Sequence, residues 1–341
     1  MSPRLLTSCG VLLAVMAVGS LAPVPVAGQA RSTAAAAAKK TWTPPRTPDG
    51  APDLQGTWTN ATITPFERPR ALADKPFLTE QEAAALERQS AARRDENDSH
   101  PRPGDVGSYN EVWFDAGTKV VGTRRTSLVT DPPDGRVPLK PEAEAARDRN
   151  LTNEDSYEFM SPWDRCITRG PGRMFPAGYN NAYQIVQTPG YVVIHHEMIH
   201  EARIIPVDGR PHLGANLRSW TGDPRGRWDG NTLVVETTNF NDQGWIATNA
   251  ASARIRGVPH SAALRLVERF TRAAADTMTY EVTIEDPHVY TRPWTVAIPL
   301  NRDPSYQIFE YACHEGNKAV EHVLGAARAA ERRAAEGIKQ K

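Results

Sequence analysis

The sequence predicts a mainly β protein, an antiparallel meander closing into a barrel or sandwich with helices at its periphery. Three observations carry that expectation. Thr279-Tyr280-Glu281-Val282-Thr283-Ile284-Glu285 alternates with period two, the pattern of a strand with one buried face. Apolar, β-branched runs are separated by Pro189-Gly190, Asp208-Gly209 and Asp229-Gly230, the last being a strong hairpin signal. Eight Trp and 28 Pro suit a loop-rich β architecture better than a helical bundle.

Residues 1–28 read as an export signal, with Arg4 in a short positive region and Val11 to Leu21 as the apolar segment. Small residues around Val26-Ala27-Gly28 or Gly28-Gln29-Ala30 offer cleavage sites, placing the product in the periplasm or medium. The apolar run ends at Pro23 and Pro25, which argues against a retained membrane helix, and no later run is long enough to span. Residues 29–50, rich in Ala, Lys and Pro, read as a flexible leader.

A single β-rich domain is expected over 51–317, opening at Pro52 to Trp58 with the first strand. A helical and loop insertion near 78–150 follows. Thr79 to Asn97 is a helix whose Thr79 and Glu82 have capping-box spacing, and Pro141 to Arg149 is a short helix with Pro in its first turn. Short strands are expected at Glu111 to Asp115, Lys119 to Val121 and Arg125 to Thr130. The last is stopped by Asp131-Pro132-Pro133-Asp134-Gly135. The meander then takes Tyr183 to Gln187, Tyr191 to His195, Ala202 to Val207, Gly226 to Trp228 and Thr232 to Thr238. It continues through Leu264 to Thr271, Thr277 to Glu285, Trp294 to Leu300 and Gln307 to Tyr311. The tail 318–341 has helix-forming composition.

Lys plus Arg and Asp plus Glu each number 40, a balance that argues against nucleic acid as a partner. Signal cleavage removes Cys9 and leaves Cys166 and Cys313, which in an oxidising compartment most simply form one disulfide. The alternative is a catalytic thiol at Cys313 beside His314.

The segments RTSLVTDPPDGR, RCITRG, YNNAYQIVQTPGYVVI, RIIPVDGRPH, GRWDGNTLVVETTNF, LVERFTR, EDPHVYTRPWT and FEYACHEGN together resemble a family of exported bacterial proteins of the acidobacterial type. The resemblance spans nearly all of 50–325 and implies export; it brings no activity or site residue. Gly56-Thr57-Trp58 is similar to the G-x-W opening of lipocalin-like barrels, which implies an interior ligand cavity.

Three groups of residues carry candidate chemistry. His196-Glu197-Met198-Ile199-His200 is a literal H-E-x-x-H string, which on a helix places both His on one face for zinc and leaves Glu197 as general base. Its flanks prefer strand, where His196 and His200 stand roughly 13 Å apart and Glu197 faces away. The expected cofactor is therefore none. Zinc at His196, His200 or His212, or between His196 and Glu236, is the alternative. Around Cys313, Glu310, His314, Glu315 and Asn317 form an acid/base cluster or a structural strand end. In Leu233 to Asn239, Glu236 sits among apolar neighbours and is either buried with a raised pKa or paired with an arginine such as Arg203, Arg218, Arg225 or Arg269.

Three functions follow. The first is an exported protein holding a small apolar or amphipathic ligand in the barrel, oriented by Glu236, Asn239, Arg203 and Trp228. The second is an exported hydrolase using a metal or an acid/base pair from His196, Glu197, Glu236, His212 and His314, which requires these residues to converge. The third is an envelope structural or interaction protein.

Overall fold

The alternating stretch becomes strand β9 (Thr277–Glu285), with Met278, Tyr280, Val282 and Ile284 all buried on one face. The computed structural model describes residues 42–99, 115–153 and 155–339. The expected export signal, most of the expected leader and nearly all of the strand expected at Glu111 to Asp115 lie outside them. The remaining strands are β1 (Gly56–Thr59), β2 (Val129–Asp131), β3 (Ala182–Thr188), β4 (Tyr191–His196), β5 (Ala202–Pro206), β6 (Asp223–Asp229), β7 (Thr232–Thr238), β8 (Arg265–Arg272) and β10 (Trp294–Arg302).

The named strands pair antiparallel throughout, and the hydrogen-bonded order is β5-β4-β3-β1-β10-β9-β8-β7-β6, with β2 added on β10. The path runs up and down around a nearly closed barrel in which the first strand meets the last, through Trp58↔Arg302 and Thr59↔Asn301. Inward positions are filled by side chains. Trp58, Trp294, Phe270, Tyr280, Tyr183 and Ile194 are each exposed by 1 % or less. The lumen is thus filled by side chains over most of its length.

The ladder is interrupted between β5 and β6, and side chains bridge that seam. A Cβ at Gly226 of β6 would stand 2.7 Å from Val207 Cγ1 and 2.9 Å from Ile205 Cγ2. Glycine here lets β5 approach β6 without a ladder between them. The long connection from β5 to β6 is braced on its own carbonyls: Asn239 Nδ2 donates to those of Leu213, Gly214 and Leu217 at 3.1, 3.1 and 3.2 Å.

Outside the barrel, α1 (Glu80–Ser99) starts with the expected capping box. Glu82 N donates to Thr79 Oγ1 at 3.2 Å, and Thr79 N donates to Glu82 Oε2 at 2.8 Å. α2 (Pro141–Thr152) has Pro in its first turn, and α3 (Ala319–Lys339) is the C-terminal helix. Three local expectations are corrected. Lys119 to Val121 is a loop, because side chains satisfy its backbone: Glu87 accepts from Val120 N at 3.2 Å and Thr64 from Val121 N at 2.9 Å. Gln307 to Tyr311 pairs with no strand and instead crosses the barrel's end as a strap. Within the leader, residues 42–50 join the fold: Asp53 N donates to Pro45 O at 2.8 Å, and Arg272 lies 5.6 Å from the rings of both Trp42 and Trp58.

Gly226→Ala should cost about 1–3 kcal/mol in urea unfolding, because the added methyl overpacks the seam. An unchanged midpoint would show that β5 and β6 are not held this closely.

Candidate functional site

The H-E-x-x-H string forms the corner between β4 and β5. His196 ends β4, and residues 197–201 must reverse the chain before Ala202, so no helix fits. Met198–His200 is a single 3-10 turn with Ile199 at φ 62° and His200 at φ 40°. The two histidines face different surroundings. His196 is buried edge-on to Tyr183 at 5.0 Å, whereas exposed His200 places Nδ1 2.7 Å from the Tyr311 carbonyl oxygen. Glu197 is fully buried, and its Oε1 accepts from Tyr306 Oη at 2.7 Å and from Phe309 N at 3.2 Å. The zinc-protease arrangement is excluded by this geometry. Among the described residues no group of three or more His, Cys, Asp or Glu could hold a metal ion.

Beneath this corner the barrel interior turns polar. Arg203 on β5 donates through Nη1 to Glu268 Oε1 at 2.7 Å and through Nη2 to Thr237 Oγ1 at 2.6 Å, while Nη2 also meets Glu268 Oε2. Tyr280 Oη donates to Glu268 Oε1 at 3.1 Å. Thus one guanidinium on β5 ties β7, β8 and β9 across the lumen. Arg173 is equally buried and reaches Glu201 Oε1 at 3.4 Å, and Glu201 Oε2 accepts from Thr168 Oγ1 at 2.9 Å. Arg169 donates to the Phe175 carbonyl at 3.0 Å. Burial, and then the charges of Arg173, Arg203 and Arg169, hold the His196 imidazole well below its ordinary range. Burial also pushes the Tyr183 phenol up to about 12.

The other sequence candidates are dispersed. Glu236 lies on the outer face of β7, where Arg265 Nε donates to it at 2.7 Å and holds its carboxyl below the usual range. His212 Nδ1 pairs with Asp223 Oδ2 at 3.0 Å. His314 is exposed beside the Cys166–Cys313 disulfide, whose Cα atoms are 5.6 Å apart. Asn239 braces the β5–β6 connection, and Trp228 packs half-buried against the core. Of the four proposed ligand-orienting residues, Arg203 faces the interior with Glu268 as its partner, and Trp228 is turned to the core as packing. The convergence needed for an acid/base hydrolase is absent among these residues. The interior carboxylate that reasoning from sequence missed is Glu268. Its signal was present in Leu266-Val267-Glu268-Arg269-Phe270, where Glu268 shares the parity of two apolar residues.

Surface grooves are present among the described residues, and two bear on function. One, of about 360 Å³, opens between α1 and the segments 63–78 and 120–126 and is walled by Ile63, Pro65, Leu72, Leu78 and Leu86, with Arg93 and Arg125 also lining it. The other, of about 450 Å³, runs along the strap and the disulfide. The class these features define is a barrel-like antiparallel β protein with a disulfide-tied strap. No protein-family model, curated protein or solved structure matches this chain. No helix among the described residues is long and apolar enough to cross a membrane.

Arg203→Met should cost about 3–5 kcal/mol by leaving Glu268 buried without a counter-charge, and adding Glu268→Leu should restore most of that loss. Additive losses in the double variant would show that the pair is not coupled.

The folded state keeps His196 neutral, whereas the unfolded chain protonates it below about pH 6.5. The stability tied to the neutral ring is therefore present above about pH 6.5 and lost as pH falls, at about 1.4 kcal/mol per unit while the folded ring stays neutral. His260, whose pKa is lowered chiefly by burial, contributes with the same sign. His196→Phe should roughly halve the slope of stability against pH between about 6 and 5 in urea titrations. An unaltered slope would place His196 in contact with solvent.

Proposed function

We propose that this chain is an exported binding protein for a small amphipathic anion, a single acyl chain with a carboxylate head. The apolar groove beneath α1 is its seat. The observation carrying this reading is the pairing of an apolar trough with two arginines that form no ion pair with any described residue. Leu86 leaves 39 % of its surface open there, and Leu78 closes the floor. Arg125 stacks 5.3 Å from the Phe77 ring, which orients its guanidinium toward a headgroup. The volume falls in the range of small-molecule sites. Export is supported by the leader composition and by the disulfide.

The helix is anchored firmly enough to serve as a wall. Glu87 pairs with Lys119 at 2.8 Å, and the capping box fixes its first turn. A ligand would gain about 0.8 kcal/mol for each methylene it buries.

Calorimetric titration of delipidated protein with saturated carboxylates below their micelle concentrations tests the reading. Each two-carbon extension should tighten binding about tenfold until the groove is full. Leu86→Glu should abolish binding, and Arg125→Gln should weaken it about three- to tenfold. Affinity independent of chain length, or untouched by Leu86→Glu, would sink the proposal.

A further inference from the structure

The strap carries a second groove with the opposite chemistry. Its walls are three aromatic rings in succession: Trp163 lies 6.1 Å from Tyr179, and Tyr179 lies 6.3 Å from Tyr311 with the two tyrosine planes inclined by only 26°. Asp164, Glu310 and Glu315 line the same space of about 450 Å³, and no Lys, Arg or His is among the lining residues. None of the three carboxylates forms an ion pair with a described residue. Buried Arg169, near Tyr179 and Tyr311, donates to the Phe175 carbonyl at 3.0 Å, and two other nearby cations are engaged elsewhere. Lys318 pairs with Glu321 at 2.9 Å, and Arg165 lies over Trp220 at 6.0 Å. The N-terminus of α3 borders the groove, but Asn317 Oδ1 already accepts from Ala319 N at 2.8 Å, so that end offers little to an anion.

We propose that this groove binds an organic cation, an amine or quaternary ammonium group seated on the aromatic faces and neutralised by the carboxylates. A ring face attracts a weakly hydrated cation through its quadrupole, and adjacent carboxylates add charge without demanding fixed geometry. An apolar ligand would gain the rings and leave the acids uncompensated; a sugar would use the rings and have no need of three carboxylates. The disulfide holds the wall in place. Cys313 lines the groove, and its bond to Cys166 fastens the strap to the loop that carries Trp163 and Asp164. Asn317 Nδ2 donates to Cys166 Sγ at 2.8 Å and fixes the other end. The disulfide therefore ties two walls of the site together.

The test is calorimetric titration of the oxidised protein with choline and with 3,3-dimethylbutan-1-ol, which keeps the shape and lacks the charge. One saturable choline site is expected, with the neutral isostere at least tenfold weaker. Glu310→Gln combined with Glu315→Gln should weaken choline at least fivefold and flatten its salt dependence. Both residues are exposed, so the variant should keep its melting temperature. Tyr311→Ala, which removes one ring and no charge, should weaken choline while preserving the salt dependence. Equal binding of the isostere, absence of saturable choline binding, or indifference to the double substitution would each overturn the proposal.

Discussion

The rest of the structure depends on how the interrupted barrel is closed. Hydrogen bonds carry the sheet from β5 round to β6, and there the ladder stops. Two devices hold that seam. Gly226 removes the side chain that would keep Ile205 and Val207 away, and Arg203 reaches across the lumen to Thr237 and Glu268. The first is apolar and local; the second is ionic and spans three strands. A buried ion pair contributes little net stability compared with an apolar replacement, but it tolerates no loss of one partner. The pair therefore ties the β5 edge to β7 and β8 while adding little to the total.

The polar end follows from that choice. With Arg203 inside, the neighbouring elements bring Glu201, Arg173 and Arg169 to the same region, and His196 is forced to remain neutral among them. Glu197 then faces the strap, where Tyr306 Oη and Phe309 N supply its hydrogen bonds. The strap thus closes the polar end while its outer side, with the disulfide, forms the acidic aromatic groove. The groove under α1 carries arginines instead. One protein therefore presents two concave surfaces of opposite charge, each formed by segments outside the meander.

Most of the fold was legible because strand alternation and turn chemistry are local. β9 matches its expected range, and Asp229-Gly230 marks the β6–β7 hairpin. What failed was parity and partnership. Glu236 and Glu268 each sit in a strand with apolar neighbours, yet the first points outward and the second inward. Val234, on the same face as Glu236, is itself only 2 % exposed, so an apolar neighbour did not identify the inner face. The strand periodicity around His196 correctly argued against a helical zinc site, but no local pattern shows that Glu197 meets Tyr306 in sequence-distant contact. Asn239 looked like a ligand contact because its role, bracing three carbonyls at φ 59°, depends on a loop that folds back onto it.

The order of the strands also sets a clock. β1, at residues 56–59, finds its place between β3 and β10, and β10 is complete only at Arg302. Until that late segment has emerged, Trp58 lacks one of its flanking strands and the first strand remains half paired. Such long-range pairing is slow to form and cannot be anticipated by the early part of the chain. A protein built this way stays open while it is being made and closes once its end is available.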